Sequence, residues 1–102
     1  MEKYHMCPKF ESAFELLGKR WTGLIIKTLL SGQKRFSDIA DSIPNMSSRM
    51  LTERFKELEK EAIVTRKVYP ETPVRIEYEL TEKGHELQSV MDEVQKWAEK
   101  WS

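Results

Sequence analysis

Fifteen residues, SSRMLTERFKELEKE from Ser47 to Glu61, hold the groups best suited to molecular recognition. Arg49, Arg54, Lys56 and Lys60 balance Glu53, Glu57, Glu59 and Glu61, so the stretch is neutral by count. Its charges oppose the helix dipole, with Arg49 near the front and Glu57, Glu59 and Glu61 crowding the back. A helix selected only for its own stability shows the reverse order. Advancing about 100° per residue separates the faces. Met50, Leu51, Phe55 and Leu58 share an apolar arc, and Arg49, Thr52, Glu53, Lys56 and Lys60 fill the opposite one. Arg54, Glu57 and Glu61 form a flank, where Arg54 reaches Glu57 at i,i+3. The outer face is therefore net positive. Ser47, Ser48, Arg49 and Thr52 at the helix front suit phosphate oxygens and base edges, with Lys56 and Lys60 behind them. Helix N-termini offer unpaired N–H groups to phosphate, and arginine reads guanine bidentately. The plainer alternative is an ordinary solvated face.

Other chemistry is thinner. Cys7, in HMCPK, precedes a helix start and stands near Lys9. Such a thiol is either a reactive thiolate nucleophile or a small apolar residue packed under the final helix. His5 and Cys7 give two ligands at metal spacing with no second pair, so no metal site is expected. His85 lies far along the chain. No glycine-rich phosphate loop and no nucleophile with a neighbouring base is present, so neither a catalytic residue nor a cofactor is expected.

The chain has 102 residues, which predicts one domain with one core. The longest apolar run, LIIKTLL from Leu24 to Leu30, is too short for a membrane span. The N-terminus carries no apolar run of signal-peptide type, and Cys7 is the single cysteine. A cytoplasmic location with no membrane partner is the expectation. Net charge is zero but unevenly spread. Residues 1–18 hold two basic and three acidic groups, residues 19–75 twelve and seven, and residues 76–102 three and seven. A basic middle against an acidic end points to a local basic face.

These groups need elements to hold them. Pro8 opens a first helix over about 8–17, with Phe10, Ala13, Phe14 and Leu17 on one side and Gly18 ending it. A second helix fits Trp21 to Leu30. A third, capped by Ser37, runs to about Ile43, and Pro44 and Asn45 break it. Ser47 caps the fourth, which ends near Glu61. The period then changes: Val74, Ile76, Tyr78 and Leu80 alternate with Arg75, Glu77 and Glu79, and PETP at Pro70 to Pro73 is a hairpin turn. Thr81 caps a last helix over about 82–101, with Leu87, Val90, Met91, Val94, Trp97, Ala98 and Trp101 in a three–four stripe. This is a mainly α fold with a small β-hairpin, in winged helix-turn-helix order. Arg66, Lys67 and Arg75 give the hairpin basic shoulders, fit for phosphates or a minor groove, or for edge protection. The final stripe suits a partner helix, with the same helix of a second copy one candidate; its alternative is the chain's own core.

Read together, CP at Cys7, GKRW at Gly18 to Trp21, KRFSDI at Lys34 to Ile39, SSRMLTERFKELE at Ser47 to Glu59 and VYPETPVRIEYELTEKG at Val68 to Gly84 resemble the HxlR-type winged helix-turn-helix regulators, distant relatives of the MarR group. The resemblance covers Cys7 to about Gly84 nearly without gaps. It implies a transcription regulator that binds double-stranded DNA, a roughly palindromic operator, as a homodimer held by the first and last helices, which include Phe10, Phe14, Val90, Val94, Trp97 and Trp101. It implies that Ser47, Ser48, Arg49, Thr52 and Lys56 face the major groove and that Arg66, Lys67 and Arg75 belong to the wing. It also implies a sensor role for Cys7 toward an oxidant or small-molecule effector; without a second cysteine, any disulfide joins two subunits or a small thiol. The competing expectation is a winged-helix protein-interaction module that does not bind DNA.

Overall fold

The computed structural model describes residues 7–102, so His5 lies outside the described residues. Six helices and one hairpin follow in order: α1 Pro8–Leu17, α2 Thr22–Leu30, α3 Phe36–Ser42, α4 Ser48–Lys60, β1 Val64–Tyr69, β2 Arg75–Leu80, α5 Glu82–His85 and α6 Leu87–Trp101. Ile25, Ile26 and Leu29 of α2, Ile39 of α3, Leu51, Phe55 and Leu58 of α4, and Val64 and Tyr78 of the hairpin close one core. Its centre is aromatic. Phe55 stacks on Tyr78 with ring centroids 3.7 Å apart and planes 4° from parallel, and Phe36 approaches Phe55 at 6.3 Å. This stack pins the apolar face of α4 against the wing.

The hairpin is antiparallel, with Val64 opposite Leu80, Arg66 opposite Tyr78 and Tyr69 opposite Arg75. Tyr78 is buried as the alternation predicts, but Ile76 and Leu80 are only half-buried, as are Arg75, Glu77 and Glu79 on the opposite face. Val74 precedes β2 and is exposed.

Three boundaries differ from expectation. Ser37 does not cap α3; the helix begins at Phe36, with Arg35 in the cap position. The reason is tertiary: Arg35 bridges Glu77, and the Tyr78 N–H donates to the Lys34 carbonyl at 2.8 Å. The chain is released from the sheet edge only at Phe36, whose ring must then turn inward. Trp21 stands outside α2, in the left-handed region at φ 79°. The final helix is broken at Glu86 into α5 and α6. Thr81 caps only α5, its hydroxyl accepting from Gly84 N–H at 3.1 Å. That turn is fastened to the end of α4, because Thr81 Oγ1 donates to the Ala62 carbonyl at 2.6 Å and Lys83 Nζ to the Glu61 carbonyl at 2.6 Å.

The stop of α4 is a double turn. Ile63 N–H donates to the Leu58 carbonyl at 2.9 Å and Ala62 N–H to the Glu59 carbonyl at 3.0 Å. Ala62 is left-handed at φ 59°, and Leu58 and Ile63 are both buried, which together form a Schellman ending.

No helix among the described residues is long and apolar enough to cross a membrane.

Candidate nucleic-acid interface

Helix α4 exists because its apolar positions fall one turn apart and its first orphan donors are met. Ser47 Oγ accepts from Met50 N–H at 3.0 Å, which fixes the helix start. Burial follows the expected arc: Leu51, Phe55 and Leu58 are inside, Met50 is half-buried, and Ser48, Arg49, Glu53, Lys56 and Lys60 are exposed. The polar residues at the front have local duties as well. The Ser47 oxygen is used as a cap, and Thr52 is half-buried with its hydroxyl donating to the Ser48 carbonyl at 2.9 Å. Both retain hydrogen-bonding capacity, Ser47 as a donor and Thr52 as an acceptor.

The cations of α4 divide sharply. Arg54 is turned inward, with Nε donating to the Arg20 carbonyl at 2.9 Å and Nη1 meeting Glu57 at 3.3 Å. Lys19 Nζ meets the same carboxylate at 2.8 Å. The Lys19 hydrogen bond, helped by the Arg54 charge, holds the Glu57 carboxyl below the usual carboxylate range. Arg49, Lys56 and Lys60 form no ion pair among the described residues. Three exposed cations with Glu53 as the single acid on their arc leave that face net positive, which suits an anion.

The hairpin cations are differently placed. Arg66 is exposed, without an ion pair among the described residues. Lys67 is exposed but held by Glu79 at 3.0 Å, and Lys34 reaches the same carboxylate at 3.3 Å. The Glu79 hydrogen bond raises the Lys67 pKa, and the two lysines lower that of Glu79. Arg75 is half-buried, 3.2 Å from Glu71 and 3.3 Å from Glu77, with its guanidinium 4.2 Å from the Tyr69 ring centroid. Its Nε is buried and points at Glu77 without hydrogen-bond alignment. Arg75 thus braces the wing tip rather than projecting from it.

One side chain was not foreseen as part of this surface. Arg35 is exposed, carries no ion pair among the described residues, and lines a groove of about 440 Å³ with Phe36, Ser37 and the wing tip from Glu71 to Ile76. The basic pair Lys34–Arg35 ahead of a helix was its sequence signal; the bridge to Glu77 that places it beside the wing was not visible.

Cys7 is exposed at the start of α1, its carbonyl accepting from Glu11 N–H at 3.0 Å. The alternative that it packs under the final helix is not met within the protomer, because Cys7 is itself exposed. Phe10 and Phe14 touch one another at 4.9 Å between centroids, and both remain exposed. The α6 stripe splits in two. Met91 is buried and Leu87 half-buried, while Val90, Val94, Trp97 and Trp101 lie open.

Comparison with known proteins fits this arrangement. Residues 16–102 match the HxlR-like helix-turn-helix family. The HTH-type transcriptional regulator YodB of Bacillus subtilis is 59% identical over 96 residues, covering 94% of this chain and 86% of that protein. The uncharacterized HTH-type transcriptional regulator YvaP of the same organism is 54% identical over 101 residues, covering 99% and 94% respectively. The crystal structure of quinone-bound YodB superposes with a TM-score of 0.82 at 54% identity, covering 94% of this chain and 100% of that one. With an exposed basic helix, a wing and this breadth of identity, the chain belongs to the HxlR-like helix-turn-helix family of transcriptional regulators.

Proposed function

We propose that this protein regulates transcription in the cytoplasm by binding double-stranded DNA as a homodimer on a roughly palindromic operator, with Cys7 as its sensor. The observation that carries the reading is the exposed set Arg49, Lys56 and Lys60, free of ion pairs among the described residues, while Arg54 beside them is fully engaged. In this reading α4 enters the major groove. Arg49, at the helix front with Ser47, Ser48 and Thr52, meets base edges, and Lys56 meets phosphate. Arg66 and Arg35 flank the groove from the wing side. The single domain dimerises through α1 and α6, which sets the two reading helices about 34 Å apart. No enzymatic role is assigned; the relatives are transcriptional regulators.

Cys7 is the only thiol and is accessible. YodB, similar over nearly all of this chain, is known in a quinone-bound structure. We assign Cys7 the same class of effector. Its thiolate adds to a quinone ring carbon that bears hydrogen: a C–S bond forms, the ring C=C electron pair shifts onto a carbonyl oxygen that takes up the proton the thiol released, and the hydrogen on the attacked carbon is lost to the second oxygen, leaving a hydroquinone thioether.

Selection of bound sequences from random duplex DNA, with and without a quinone, tests the reading. A palindromic consensus that is lost with quinone is expected. Lys56→Ala should weaken binding to every sequence and flatten the salt slope by about one unit, whereas Arg49→Ala should relax preference at one base position at a cost of about 1–3 kcal/mol. Cys7→Ser should bind DNA normally and ignore quinone. Failure to enrich any sequence would favour a protein-interaction module, and a Cys7→Ser protein that still responds would refute the thiol.

A further inference from the structure

The joint between α1 and α2 is strained and is tied to α4 by charge. Trp21 holds a left-handed backbone at φ 79°, which is unfavourable for a bulky residue and persists only where surroundings impose it. Those surroundings are on either side of it. The Arg20 guanidinium covers the Trp21 ring at 4.5 Å, and the Arg20 carbonyl accepts from Arg54 Nε at 2.9 Å. Lys19 Nζ reaches Glu57 at 2.8 Å, and Arg54 Nη1 reaches both Glu57 oxygens at 3.3 Å. Arg54 and Glu57 are neighbours on one flank of α4, directly beside Lys56. A carboxylate, a planar fork, a lysine and a backbone carbonyl therefore close one network between the joint and the reading helix. The fork matters, since the planar guanidinium holds two separate nitrogens in fixed geometry, Nε toward the carbonyl and Nη1 toward the carboxylate, which the single nitrogen of a lysine does not reproduce.

We propose that this Lys19–Glu57–Arg54 clamp registers α4 against α1, so that Glu57 and Arg54 are positioning residues that set the spacing of the two reading helices in the dimer. The inference rests on the reading of α4 as the DNA helix and α1 as part of the dimer contact. If α1 belongs to the subunit contact, any slack at the joint becomes slack between the two copies of α4. Contacts made by one α4 with one half-site would be untouched. The lowered Glu57 pKa agrees with a carboxylate engaged by two cations in the free protein.

The test compares two duplexes: the full palindrome selected by the wild type, and the same duplex with one half-site scrambled. Glu57→Gln and Arg54→Lys are measured on both, with folding followed by circular dichroism. Each variant should lose about tenfold on the full site and stay within about twofold of wild type on the half-site. The direction is diagnostic for Glu57→Gln, because removing a negative charge near DNA should otherwise tighten binding to both duplexes. Lys19→Met combined with Glu57→Gln should lose no more than the worse single variant, as for partners in one network. Folded variants that keep the wild-type full-site preference overturn the clamp, as do variants that lose equally on both duplexes. A wild type without any full-site preference overturns the dimeric reading itself, and the clamp with it. Arg54→Lys keeps charge and bulk, so it stays informative should Glu57→Gln fold poorly.

Discussion

Gly84 and Ala62 meet at the junction of α4, β1 and α5, and each faces a steric demand opposite to the other's. A Cβ on Gly84 would lie 2.3 Å from the Ile63 carbonyl oxygen and 2.8 Å from a Leu80 methyl. Backbone is the nearer obstacle, so the turn must shift bodily. Gly84→Ala should destabilise by about 1–3 kcal/mol, the usual cost of overpacking. Ala62 occupies the left-handed position of the Schellman ending, where a Cβ is penalised and glycine is favoured. Ala62→Gly should stabilise by roughly 0.5–1 kcal/mol, the relief exceeding the extra flexibility of unfolded glycine. Urea or thermal unfolding reads both, with about 4–8 °C per kcal/mol at this size. Neither position announces its role in the sequence. Gly84 lies among polar and charged residues ahead of the apolar stripe that begins at Leu87, and Ala62 is the residue least suggestive of a turn.

At the scale of elements, the wing is a charge network as much as a basic surface. Glu79 holds Lys67 and Lys34, and Arg75 is shared by Glu71 and Glu77. Alternation placed Arg75, Glu77 and Glu79 on one strand and one face. Their pairing depended on register: Lys67 lies opposite Glu77 and diagonal to Glu79, and only the folded hairpin fixes that offset. Replacing Glu79 by Gln should release two lysines for phosphate, tightening DNA binding and steepening the salt dependence by up to about one unit per lysine engaged. The effect should be equal at pH 6 and pH 8. Glu79 is shifted down and Lys67 up, so the pair is intact across that window. It is lost only as pH falls through the lowered carboxylate value or rises through the raised lysine value. Salt titrations of duplex binding at the two pH values check both statements.

The whole molecule is longer than its residue count requires. It spans 64 Å by 30 Å by 24 Å with a radius of gyration of 15.6 Å, against about 13 Å for a compact domain of this length. The excess comes with side chains left outside the core: Phe10 and Phe14 are each 58% exposed, Trp97 64% and Trp101 67%. Apolar surface on this scale marks an interaction site. Trp97→Glu with Phe14→Glu should therefore yield a folded monomer, since neither residue supports the protomer core. Sedimentation would show the change in mass, and unaltered circular dichroism would show that the fold is kept. A dimer that survives both charges would place the subunit contact elsewhere.

Periodicity in the chain was sufficient for the order of helices and hairpin, the cap at Ser47 and the inner and outer faces of α4, because each depends on residues within a few positions of one another. The break at Glu86, the start of α3 at Phe36 and the left-handed Trp21 each lie close to contacts with distant residues that no local pattern reveals: Ile63 beside Gly84, Glu77 beside Arg35, and Glu57 and Arg54 beside the joint. Among the cations the sequence singled out only Arg54, whose i,i+3 spacing brings it to Glu57. Which of the others stay open and which are neutralised within the fold was decided by tertiary structure, because Lys19–Glu57, Lys34–Glu79 and Lys67–Glu79 join residues far apart in the chain and depend on a distance of a few ångströms that only folding sets.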